Sequence, residues 1–132
     1  MTDAVVSDGS VTQTDSACSG LVAKASIHRT PCGSGDMVWR TWAPEFPAGT
    51  ESLVLLIHGG SGTWRHWLRN IPALLDAGHT VWAPDLPGFG DSDAPPGNGD
   101  ADSVVAPLVQ GMHLLFGGKP CRVVAFSFGS LV

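Results

Sequence analysis

The chain has 132 residues, a formal net charge of −5 and 43% hydrophobic residues. That is enough apolar material for one small core, and too much for a disordered tail. The 7 lysines and arginines form no run, which argues against nucleic acid as a partner. Its 17 glycines and 10 prolines stand well above the usual ~12% combined and punctuate apolar runs, so sharp connections between short elements are expected rather than a helical bundle.

Residues 1–17 are small, polar and aperiodic, and read as a disordered leader. They hold neither a basic nor an apolar signal region, and no later stretch reaches the ~18 apolar residues of a membrane helix. Three cysteines, an odd count without a C-x-x-C pair, fit a reducing compartment better than a disulfide framework. The expectation is a cytoplasmic protein with no membrane partner.

The β-branched segment Leu21 to Thr30 predicts a strand, and the turn chemistry of PCGSGD leads into an antiparallel partner over Met37 to Trp42. Ser52 to Ile57 is apolar without alternation, as in a strand covered on both faces. After HGGSG, residues 63–78 place Trp64, Trp67, Leu68, Ile71 and Leu75 at helical spacing, with Thr63 as cap, Gly78 as stop and a break at Pro72. A short strand, Thr80 to Ala83, precedes a loop rich in Gly, Pro and Asp. Asp102 to Phe116 reads as a helix, despite Pro107, and Arg122 to Ala125 as a final strand. Alternating strands and helices predict an α/β fold: a doubly wound, mostly parallel sheet with an antiparallel N-terminal hairpin.

The chemistry concentrates where strands end. Ala125-Phe126-Ser127-Phe128-Gly129 sets a serine between small residues at a strand-to-helix turn, the nucleophile-elbow pattern with alanine in place of the usual first glycine. Taken alone, the pentapeptide equally describes a serine capping a helix. Upstream, another buried strand ends in His58-Gly59-Gly60-Ser61-Gly62, whose glycines allow backbone N–H groups to approach a substrate carbonyl. A phosphate-binding loop would need a lysine, and residues 59–66 contain none. Gly88-Phe89-Gly90 lacks the third glycine of a dinucleotide fingerprint. Cys18, His28, Cys32 and Cys121 lack the close pairs of a zinc site, so neither cofactor nor metal is expected. Trp64, Trp67 and Trp82 read as core, and His66 and His113 as surface side chains.

Together the HGGSG-TWRHW, APDLPGFGDSD and AFSFG blocks resemble the first half of an α/β-hydrolase, from about Leu21 to the chain end. The resemblance implies Ser127 as nucleophile and the Gly60 and Phe128 N–H groups as the oxyanion hole. It also separates the chain from epoxide hydrolases and haloalkane dehalogenases, which resemble this family but use a carboxylate nucleophile. The family's order is serine, acid, histidine, yet no Asp, Glu or His follows Ser127. All five histidines lie upstream, where the family does not place its base. His58 resembles a structural, loop-orienting residue, and Asp85, Asp91 and Asp93 look loop-shaping. Residues 18–132 are therefore expected to be the N-terminal part of a hydrolase domain, ending just after the elbow and inactive by itself. The parent is expected to cleave an ester, thioester or C–C bond of a small molecule through an acyl-serine. The alternatives are a non-catalytic ligand receptor or interaction module of the same fold, or a cofactor-free haloperoxidase-like enzyme.

Overall fold

A computed structural model describes residues 18–47, 52–97 and 100–132; the expected leader, 1–17, lies outside the described residues. Five strands form one sheet in the order β1-β2-β4-β3-β5: β1 (Ser26–Cys32), β2 (Gly35–Trp42), β3 (Leu53–Ile57), β4 (Thr80–Pro84) and β5 (Arg122–Ala125). Antiparallel pairing joins β1 to β2 and β2 to β4, whereas β3 pairs in parallel with both β4 and β5. Only β2 therefore runs against the others.

Residues 18–24 form a helix, α1, where the sequence predicts the start of a strand. Packing overrides β-propensity here: Leu21 is buried beside Trp42, and its carbonyl accepts the Trp42 indole N–H at 2.8 Å. The helix expected over 63–78 is divided. One 3-10 turn covers Trp64–Trp67, with the Thr63 hydroxyl accepting the Arg65 N–H, and α2 (Ile71–Asp76) starts afresh after Asn70. The break precedes Pro72 instead of falling on it. Proline fits the first turn of a helix, where its missing N–H would have no intrahelical partner. α3 (Ala101–Phe116) runs through Pro107, which is buried, and ends at Gly117 in the left-handed conformation.

The two faces of the sheet bury separate clusters. On one, α3 covers Met37, Trp39, Leu55 and Ile57; on the other, α1, the 3-10 turn and α2 cover Trp42, Val54, Leu56 and Val81. The sheet is thus doubly wound. Strand order reverses at β3: the chain leaves β3 for β4 on one side, then crosses back through α3 to β5 on the other. Loops after β3 and β5 consequently diverge from neighbouring strands, the position where open α/β sheets form their ligand crevice.

Candidate active site

The loop after β3 and the turn after β5 meet at this switch point. Ile57 pairs with Ala125, and the Phe126 N–H continues the ladder to the Ile57 carbonyl at 3.1 Å. The chain then turns abruptly. Ser127 has φ +54°, a left-handed conformation uncommon for a residue with a side chain, and opens a 3-10 turn, Ser127–Ser130. Close approach dictates the small residue that follows: a Cβ on Gly129 would lie 2.6 Å from the His58 carbonyl oxygen and 2.9 Å from that of Ile57. A Cβ on Gly59 would sit 2.9 Å from the Phe126 ring. Ser127 itself is exposed, and its hydroxyl has no hydrogen-bond partner among the described residues.

Gly60 and Phe128 face each other, since a Cβ built on Gly60 would stand 3.5 Å from that of Phe128. Neither backbone N–H is engaged among the described residues. The orientation of the Gly60 N–H follows from His58. That imidazole is fully buried; its Nε2 accepts the Leu86 N–H at 2.9 Å, so the proton resides on Nδ1 and is donated to the Gly59 carbonyl at 2.7 Å. The Gly62 N–H reaches the same carbonyl at 3.2 Å. Because the peptide is trans and planar, drawing the Gly59 carbonyl toward His58 turns the Gly60 N–H the opposite way. Burial pushes the His58 pKa below its ordinary value, against the smaller opposing effects of the Gly59 carbonyl and Asp85. The ring is neutral, with both nitrogens occupied.

Behind these loops lies an ionic network. Asp85, at the end of β4, accepts the Trp64 N–H at 2.9 Å and the Asp91 N–H at 3.0 Å. It also accepts from the Arg40 guanidinium at 3.2 Å, while the other Arg40 amino group reaches Asp91. The Ser92 hydroxyl donates to the Asp85 carbonyl and accepts the Val38 N–H. Arg40 had no role in the sequence reading; a lone cation inside the apolar strand MVWRTW is the signal that marks it.

The structure thus brings Ser127, Gly60 and Phe128 together. Two other histidines are engaged elsewhere: His79 is bonded to Ser52 and the His28 ring packs at a tilt against Trp82. His66 is exposed, but it touches the site and is taken up below. Among the described residues, no group of three or more His, Cys, Asp or Glu could hold a metal ion, and no helix is long and apolar enough to cross a membrane.

The profile of the alpha/beta hydrolase fold family matches residues 52–132, and the chain belongs to that family. It is 36% identical over 85 residues to the 2-hydroxy-6-oxo-6-phenylhexa-2,4-dienoate hydrolase of Burkholderia cepacia, covering 62% of this chain and 30% of that protein. To epoxide hydrolase 1 of Siraitia grosvenorii it is 45% identical over 49 residues, 37% of this chain and 16% of the relative. The crystal structure of an epoxide hydrolase from Vigna radiata superimposes with a TM-score of 0.67 at 26% identity, covering 83% of this chain and 34% of that one. The chain therefore spans about a third, or less, of the length of these relatives.

Proposed function

We propose that this chain contributes the nucleophile and oxyanion hole of a serine hydrolase, whose acid and histidine lie in the remaining two thirds of the length its relatives span. The observation that carries this reading is one juxtaposition: an exposed Ser127 held at φ +54° beside the two unengaged N–H groups of Gly60 and Phe128. In the proposed reaction, the Ser127 hydroxyl oxygen bonds to a substrate carbonyl carbon as its proton passes to the histidine. The oxyanion is held by the two N–H groups, and one such donor is worth about 2.7–4 kcal/mol in the transition state. The leaving group departs with the proton, and water then hydrolyses the acyl-serine by the same route in reverse. No cofactor is needed.

The substrate is proposed to be a small molecule with an ester, thioester or activated C–C bond adjoining a carbonyl. The named relatives include both a dienoate hydrolase and epoxide hydrolases. Serine at position 127 favours the former chemistry, since opening an epoxide by the carboxylate route needs a side-chain carboxylate there.

Fluorophosphonate labelling of the complete hydrolase tests the assignment. Labelling is expected in the wild type and absent in Ser127→Ala, because only an activated serine reacts readily with a phosphoryl electrophile. Undiminished labelling of the variant would move the nucleophile elsewhere. The 132-residue chain alone should show no Ser127-dependent hydrolysis of p-nitrophenyl acetate.

A further inference from the structure

His66 stands in neither the elbow nor the glycine loop, yet it contacts both. Its Nδ1 accepts the Gly59 N–H at 3.2 Å. Its ring lies edge-on to His58, at 6.0 Å between centroids, and to Phe126, the residue before Ser127, at 5.9 Å. The space is reserved for it: a Cβ on Gly62 would fall 2.2 Å from the His66 ring. The two backbone groups of Gly59 are therefore held by two different imidazoles, the carbonyl by His58 and the N–H by His66.

We propose that His66 is a positioning residue for the oxyanion loop, and that it holds the loop only while its ring is neutral. The proposal rests on the hydrolase reading of Ser127 and Gly60. The Gly59 N–H needs a lone pair, which Nδ1 offers only when the ring's single proton is on Nε2. Protonation at Nδ1 sets two N–H groups against each other and removes the bond that holds the N–H of Gly59, the residue preceding the Gly60 donor. His58 faces the ring as a neutral imidazole, Phe126 and Gly62 carry no charge, and Arg65, next in the chain, is cationic. Among the described residues no carboxylate is hydrogen-bonded to His66.

Asparagine separates this role from a merely structural one. Its amide oxygen occupies a place close to that of Nδ1 and accepts at any pH. In the complete hydrolase, His66→Ala is expected to lower kcat for an activated ester by about 10–100-fold, the scale of a small misplacement of catalytic groups, with much less change in KM. His66→Asn should restore kcat at pH 8. The ratio of Asn-variant to wild-type kcat should then rise as pH falls from 8 to 5, because a triad histidine common to both proteins cancels from the ratio. Ser127→Ala run in parallel keeps the two readings distinct: if it retains labelling and turnover, the nucleophile assignment fails. If it loses them while His66→Ala keeps wild-type kcat, or the Asn-to-wild-type ratio is flat with pH, the role of His66 is overturned.

Discussion

Two regions invert the usual distribution of polar and apolar side chains, and they do so differently. Behind the loops, Arg40, His58 and Asp85 are buried. At the sheet margin, Val123 and Val124 are 50% and 45% exposed, with Phe126 and Leu131 more so. The first inversion closes on itself: His58 uses both nitrogens, and Asp85 gathers two backbone N–H groups and a guanidinium. At the margin, β5 pairs only with β3 among the described residues. A buried polar group is tolerated once its partners are built in. An apolar edge has no such internal remedy and calls for a covering surface.

The largest expected effect lies in the closed region. Asp85→Ala should destabilise the fold by about 3–5 kcal/mol, the usual result of removing one member of a buried ion pair. It would remove one of the two carboxylates that pair with the Arg40 guanidinium, of whose side chain only 9% is exposed, and release the Trp64 and Asp91 N–H groups. A shift in the urea midpoint measures it. A loss below 1 kcal/mol would mean that the network is dispensable and that the loops owe their shape to their glycines.

Legibility in the sequence follows the same division. Strands announced themselves by continuous apolar runs, and Ser52 to Ile57 and Arg122 to Ala125 match β3 and β5 to within a residue. The doubly wound architecture could be read because alternation of strands and helices leaves few other packings. Residues 21–24 were misread as strand because β-branched content says nothing of Trp42, whose indole N–H claims the Leu21 carbonyl. The placement of Gly60 beside the turn that carries Ser127 was implied by the resemblance to α/β-hydrolases. The partners of Arg40 and His66 were not, since each bond joins segments whose relative placement only the fold defines. Leu55 and Ile57 are buried under α3. One helix suffices there because it lies across the face opposite α2.

An intermediate effect comes from His58 and depends on pH. Burial lowers its pKa in the fold, so between that value and the ordinary ~6.5 the unfolded chain binds more protons than the folded one. Stability is then complete above about pH 6.5 and is lost as pH falls, with a slope approaching ~1.4 kcal/mol per pH unit from this group. Urea unfolding from pH 7.5 to 5 should show the decline, and His58→Asn should flatten it while lowering stability throughout. An equal slope in the variant would assign the acid sensitivity to another group.

The smallest effect on folding, and the most visible in solution, is expected at the β5 margin. Consecutive residues Val123 and Val124 point to opposite faces, so apolar surface is exposed above and below an unpaired edge. Such an edge is a template for pairing with another strand, and charge placed on it is a known deterrent. The 132-residue chain by itself should therefore associate at micromolar concentration. Val123→Lys should suppress association while costing less than about 1 kcal/mol of stability, because half of the residue is already in water and full burial of a valine is worth only about 1.5–3 kcal/mol. Size-exclusion chromatography of both proteins, with amide hydrogen exchange, separates the outcomes. If the wild type elutes as a monodisperse monomer with strong protection through residues 122–126, the edge is stable uncovered and the contrast between the two regions fails. If both proteins associate equally, the adhesive surface lies elsewhere, and Phe126 and Leu131 are the next apolar residues to replace.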